Sequence, residues 1–171
     1  GGLNTSGAIT VKLAAREAVL TLASGLITTN TGGATISIQA DDVDFHSGDD
    51  KVRGTGLLEM KSTTATQNYR VGGAAQSTYG RDFSNNGATG FFEFSMQDLS
   101  ALADGFSAIR LGHKNAGSVG MTIGDVEDKQ VGDFAFTARL TDVAHFIADD
   151  YVIAGDVQST QSMYFDGRTM E

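Results

Sequence analysis

The sequence predicts an all-β chain, and three observations carry that expectation. First, apolar and polar residues alternate over short runs, as Phe92, Phe94 and Met96 do against Glu93, Ser95 and Gln97. Second, such runs recur with a full cycle of roughly 20 residues, near the lower end of the repeat lengths of solenoid coils. Third, glycine is abundant at 22 residues while proline is absent, which suits turns that need positive φ. Two architectures share this pattern. One is a parallel β-helix, in which the chain coils on itself. The other is an antiparallel sandwich, with turn signals at intervals of roughly 8 to 12 residues. Of the hairpin-type pairs Asn86-Gly87, Asp104-Gly105 and Asp166-Gly167, only the last directly abuts an alternating run. Periodicity alone leaves the two architectures even.

Taken in order, residues 8–13 (AITVKL) and 18–22 (AVLTL) are short alternating runs separated by Ala-Ala-Arg-Glu, and 26–29 follow the Ser24-Gly25 turn. Over 34–40, Ile36 and Ile38 share one face, with Thr35, Ser37 and Gln39 on the other. Val43 and Phe45 form a minimal strand before an acidic turn. Val52, Leu58 and Met60 precede a polar stretch, after which Tyr69 and Val71 lead into Gly72-Gly73. Residues 74–90 (AAQSTYGRDFSNNGATG) have the composition of a long loop. After the strand at 91–96 the period changes: Leu99, Leu102 and Phe106 form a one-sided stripe that predicts one short helix near 98–103. Ser95 or Asp98 can cap its start, and Gly105 suits a left-handed end. Ile109 and Leu111, then Met121 and Ile123, resume the alternation around a glycine-rich loop. Phe134, Phe136, Phe146, Tyr151, Ile153, Val157, Met163 and Phe165 continue it to the end.

At 171 residues the chain is the size of a single domain. Hydrophobic residues at 40% and charged residues at 19% argue against disorder. Without cysteine there is neither disulfide nor thiol chemistry, a composition compatible with an extracellular setting. A formal net charge of −9 argues against nucleic acid as a partner. No stretch approaches the roughly 20 apolar residues of a membrane-spanning helix. No signal peptide is visible, and the Gly-Gly opening is expected of a mature or excised piece.

Three segments carry a resemblance. They are GLITTNTGGATISIQADDVDF (25–45), VRGTGLLEMKSTTATQNYRVGG (52–73), and DLSALADGFSAIRLG followed by GSVGMTIGDV (98–112 and 117–126). Together and in this order they resemble the recurring coils of filamentous-haemagglutinin-like giant adhesins, the repetitive surface proteins of Gram-negative bacteria. The chain departs from that pattern at Arg110, His113 and Lys114, in the aromatic-rich 91–94, and in having no proline after Ala65. The resemblance implies a right-handed parallel β-helix (solenoid) over 1–171 of about seven or eight coils, spaced by about 4.8 Å. It implies a non-enzymatic structural segment of a bacterial extracellular adhesin or self-assembling surface fibre, secreted or at the cell surface. A carbohydrate-binding or polysaccharide-degrading β-helix is the alternative.

The chemistry-bearing residues fit a structural role. Asp41, Asp42, Asp44, Asp49 and Asp50 are expected to form a solvated face, as are Asp149-Asp150 and the acids at 125–128. Their spacing matches no EF-hand or calcium-binding nonapeptide, so no tight calcium site and no cofactor are expected. Asp42 and Asp44 could pair for glycoside chemistry only across a cleft with tuned pKa values, and no catalytic residue is assigned. His46, His113 and His145 form no metal motif and are expected on the surface or in loops. The phosphate-loop-like GHKNAGS (112–118) lacks the lysine before its serine, and Asn4-Thr5-Ser6 matches a glycosylation sequon too common to weigh. The alternating phenylalanines predict an internal aromatic ladder. Tyr79, Arg81 and Phe83 in the long loop could contact surface glycans or proteins. The two chain ends run into strand-like alternation without a polar cap. Met163, Tyr164 and Phe165 are therefore expected to stack head to tail on copies of the chain or adjoining solenoid segments.

Overall fold

A computed structural model describes residues 2–29, 32–45, 48–72, 91–116, 119–124, 137–154 and 156–170. Eighteen short strands and one short helix make up the described residues, so the fold is all-β. The deepest sheet stacks β2 (Ile9–Lys12), β5 (Ile36–Gln39), β8 (Leu57–Lys61), β11 (Ala108–Gly112), β14 (Ala144–Ile147) and β17 (Met163–Asp166), in that order. A second stacks β10 (Phe91–Phe94), β9 (Asn68–Val71), β12 (Gly120–Ile123), β15 (Asp150–Ile153) and β18 (Thr169–Met170). A third joins β1 (Leu3–Thr5), β4 (Ile27–Thr29) and β7 (Val52–Arg53). The pairs β3 (Val19–Thr21) with β6 (Asp42–Asp44) and β13 (Thr137–Leu140) with β16 (Asp156–Ser159) complete the set.

Every pairing between these strands is parallel. That excludes the antiparallel sandwich, since a parallel pair needs a long crossover and cannot be closed by a tight hairpin. The chain supplies the crossover by returning to the deepest sheet between visits to the others, as in β1–β2–β3 and β4–β5–β6, until β9 opens the second sheet after β7 and β8. Asp166-Gly167 accordingly forms a corner between β17 and β18 and no hairpin. Glycine is required there because a Cβ would lie 2.2 Å from the Tyr151 ring. Among the described residues the deepest sheet has six strands, against the seven or eight coils expected of the whole chain. Between β8 and β11 the chain also builds β9, β10 and the helix.

Unshifted register turns the period-two alternation into rows. Ile9, Ile36, Leu58, Ile109, Ala144 and Met163 form one row; Val11, Ile38, Met60, Leu111, Phe146 and Phe165 form another. Both rows point inward, as expected for Ile36, Ile38, Ile109 and Leu111, and Ile123 on β12 is likewise fully buried. Between them Thr10, Ser37, Glu59, Arg110, His145 and Tyr164 point out. There Arg110 pairs with Glu59 at 3.7 Å and His145 stacks on Tyr164 at 4.7 Å. Part of the aromatic ladder is present, with Phe146 on Phe165 at 5.3 Å and Tyr69 on Phe92 at 5.2 Å. Leu111 is 2% exposed, so Leu111→Ala should cost about 2–5 kcal/mol through lost burial and a residual cavity. Thr35→Ala should be nearly silent. Calorimetric melting of both variants checks this, and an unchanged Leu111→Ala Tm would remove that side chain from the core.

The helix α1 spans Met96–Ser100, shifted from the expected 98–103. Ser95 caps it, in a reciprocal capping box with Asp98. The stripe through Leu102 misled because a sheet captures that residue. Lys51 and Val52 donate N–H bonds to Ala101 O, Ala103 N–H donates to Val52 O, and Leu102 bridges Val52 in parallel. Gly105, at φ +125°, therefore turns the chain toward β11 and does not end the helix.

Candidate functional site

Of the acidic side chains expected on a solvated face, Asp49 and Asp50 are exposed and Asp150 is half-exposed, while the acids at 125–128 lie outside the described residues. Asp41, Asp42, Asp44 and Asp149 are instead buried, each at most 3% exposed. An ionised carboxylate is buried only when donors or cations replace its water. Here the donors are mostly backbone N–H groups at places where the sheets are interrupted.

Asp41 sits at the corner between β5 and β6. Its Oδ2 accepts Glu17 N–H at 2.8 Å and Thr64 Oγ1–H at 2.8 Å; its Oδ1 accepts Thr64 N–H at 2.7 Å and Ser62 Oγ–H at 3.0 Å. Burial alone would push this carboxyl up, but the four donors, led by Glu17 N–H, hold it below its ordinary range. Gln67 Nε2 donates to Asp41 O at 2.7 Å. Beside it, Tyr69 oxygen accepts Ser62 N–H at 2.8 Å and lies 2.6 Å from His113 Nδ1. His113 Nε2 faces the Ala65 carbonyl at 2.9 Å and must donate to it. In neutral His113 the proton is thus on Nε2, and Tyr69 O–H donates to Nδ1. Burial pushes the Tyr69 phenol up, so it stays protonated and acts as a brace. Loop histidine was the right expectation for His113, which ties its loop back to the turn at Ala65.

The second cluster lies where β10 is wedged beside β6. β10 ladders onto β9, from Phe91 opposite Asn68 to Phe94 opposite Val71, and side chains join it to β6. Asp42 Oδ1 accepts Val43 N–H at 2.9 Å and Glu93 N–H at 3.0 Å. Its Oδ2 is buried without a hydrogen-bond partner among the described residues. Burial, then the charges of Glu93 and Asp98, push this carboxyl up to about 9. A carboxyl raised this far favours its protonated form at neutral pH, and Oδ2 is the oxygen that accepts no hydrogen bond among the described residues. Asp98 Oδ1 accepts Phe45 N–H at 2.7 Å, while its Oδ2 accepts Ser95 N–H at 2.8 Å and Ser95 Oγ–H at 2.6 Å. Burial pushes Asp98 up to about 6, with the Asp44 charge adding to the shift. Glu93, also buried, pairs with Arg70 at 3.5 Å, whose guanidinium lies 3.9 Å from the Phe91 ring centroid.

Two more carboxylates repeat the pattern. Asp149 Oδ2 accepts Asn115 N–H at 2.9 Å and Val119 N–H at 3.1 Å, which fastens the glycine-rich loop to β15. Asp142 Oδ1 accepts Gly105 N–H at 3.1 Å, and burial raises its pKa. These acids accept hydrogen bonds from backbone donors inside the fold, a geometry that holds corners. Asp42 and Asp44 accordingly do not flank a cleft. A shallow groove of about 440 Å³ does cross the second sheet, lined by Asn68, Phe91, Thr122, Asp150 and Val152 among others. Its one carboxylate, Asp150, pairs with Arg168 at 3.7 Å. Among the described residues no group of three His, Cys, Asp or Glu side chains could hold a metal ion.

Tyr79, Arg81 and Phe83, the rest of the 74–90 loop, and His46 lie outside the described residues. Met163, Tyr164 and Phe165 come together on β17, the end strand of the deepest sheet. Tyr164 is 52% exposed, while Met163 and Phe165 are half-buried against the core. Sequence reasoning missed their counterparts at the other end, Val11, Leu20 and Leu22, which are also half-covered. The alternation over 8–13 and 18–22 placed these residues on strands but could not show that the strands end a stack. No protein-family model, curated protein or solved structure matches this chain.

Proposed function

We propose that the chain is a right-handed parallel β-helix acting as a non-enzymatic structural segment of a bacterial extracellular adhesin or self-assembling surface fibre. In this reading it joins end to end with copies of itself or with adjoining solenoid segments. One observation carries the proposal. Among the described residues six apolar side chains pack on the core without being fully covered, and five of them lie at the two ends of the stack. Val11, Leu20 and Leu22 are at one end and Met163 and Phe165 at the other, while Met96 lies on α1. Of the exposed large hydrophobic residues, Leu3 and Tyr164 lie on end strands as well, whereas Val152 and Ile153 lie on β15, next to the end strand β18. A rod of parallel strands has unpaired N–H and C=O groups only at its ends, so those ends are where another chain adds most favourably. The all-parallel ladders, the repeated return to the deepest sheet and the adhesin-like segments support the same reading. The buried carboxylates support the non-enzymatic part, because they face backbone donors and leave no acid pair in a cleft.

Light scattering over a concentration series tests the proposal. Mean mass should climb with concentration, and negative-stain images should show rods of uniform width. A monomer at every concentration overturns end-to-end assembly. The carbohydrate-binding alternative rests on the Phe91-lined groove and on Tyr79, Arg81 and Phe83. Saturable binding of a polysaccharide by a strictly monomeric chain would favour it.

A further inference from the structure

We infer that the junction between two copies has one register. β17 of one copy ladders in parallel and without shift onto β2 of the next, with Lys12 opposite Asp166. The inference rests on the end-to-end reading above and specifies its geometry.

The rows of the deepest sheet carry the argument. Through all six strands each row runs without shift, so continuing them past β17 places Met163 opposite Ile9, Tyr164 opposite Thr10 and Phe165 opposite Val11 of the next copy. Apolar side chains then meet apolar ones inside, completing the two rows that the ends leave half-covered. The exposed Tyr164 and Thr10 meet outside. A slip of one residue would turn Met163 and Phe165 outward against the inward Ile9 and Val11. A slip of two keeps the faces but not the charges. Only the unshifted register sets Lys12 opposite Asp166 in the last row. Lys12 is exposed and makes no ion pair among the described residues. The Asp166 side chain is 68% exposed and already draws in Lys114 of its own copy, so it would sit between two lysines. Opposite charges directly across a strand pair attract, and like charges there repel. The same junction repeated from copy to copy is heterologous and builds an open filament unless its rotation closes.

Two measurements on the 171-residue chain test the register. In the first, K12E and D166K are each expected to weaken self-association roughly five- to tenfold, and the double reversal K12E/D166K to restore most of it. Both positions are exposed, so the variants should fold. In the second, T10C and Y164C combined in one chain should form intermolecular disulfides on mild oxidation. Facing Cα atoms about 4.8 Å apart fall within the range a disulfide spans. The offset pair K12C with Y164C should not cross-link. Association that ignores the charge reversals and cross-links the offset pair overturns this register while leaving end-to-end assembly intact. No association under any condition overturns both.

Discussion

From about pH 4 to pH 9 the melting temperature of this chain is expected to fall, more steeply up to about pH 6, where Asp98 and Asp42 both contribute, and then through Asp42 alone. Both carboxyls are raised in the folded state, Asp98 to about 6 and Asp42 to about 9, from an ordinary value of 3.8. The folded state therefore holds protons that the unfolded chain releases, and stability drops with pH wherever the native state binds more of them. Their contribution is complete below pH 4. It is lost from Asp98 by about pH 6 and from Asp42 by about pH 9, a loss on the order of several kcal/mol. Asp41 has the opposite sign: its lowered pKa makes it a stabilising group that fails only as the solution becomes strongly acidic. Greatest stability should therefore lie on the acid side of neutrality. Calorimetric melting at unit pH steps would trace the curve. Asp42→Asn keeps a neutral side chain and an oxygen for Val43 and Glu93 N–H, so it should flatten the segment from pH 6 to 9 and leave only the Asp98 share of the slope from 4 to 6. A wild-type Tm that is level or rising from pH 6 to 9 would contradict the protonated state of Asp42.

The strands were legible because a local signal specifies them. Ile36 and Ile38 against Ser37, or Ile109 and Leu111 against Arg110, fix an inward and an outward face within four residues. Parallel pairing was not legible from that signal, because the alternation that fits a parallel stack also fits a sandwich. The buried acids were misread for a related reason. Asp42 and Asp44 alternate with Val43 and Phe45, and alternation assigns the polar set to water. What covers them is β10, about fifty residues later in the chain, and the Asp98 that seals the site lies on a helix beyond it. The helix start was visible in Ser95 and Asp98, but its end was not: Leu102 continues the apolar stripe, and its partner Val52 is remote in sequence. Of the candidate contacts, Met163, Tyr164 and Phe165 were found as a strand of alternating exposure. Lys12, which would complete the junction, carried no signal until the register put it at the end of a row.

Replacing Asp98 by alanine is expected to destabilise the fold by about 3–5 kcal/mol, a large share of a typical domain's total. The carboxyl satisfies Phe45 N–H on one oxygen and Ser95 N–H and Oγ–H on the other, all out of contact with water. Its loss strands two buried backbone donors at roughly 1–3 kcal/mol each and breaks the capping box at the start of α1. Asparagine should be a poor substitute. Its oxygen can still accept from Phe45, but its amide then points hydrogens at Ser95 N–H, where an acceptor is required. Ser95→Ala should cost only about 1 kcal/mol, as expected for a lost cap. Removing Asp98 also takes one charge away from Asp42, so the pH 4 to 6 decline in Tm should lose the Asp98 share and keep that of Asp42. Urea unfolding gives the stability loss. Native-state hydrogen exchange then locates it, because β6 and β10 have no shared ladder and are joined through these carboxyls. Phe45 and Ser95 amides should lose protection well before those of Ile38 and Leu58 on the deepest sheet. If Phe45 and Ser95 stay as protected in Asp98→Ala as in wild type, the carboxyl does not join the wedge to the stack.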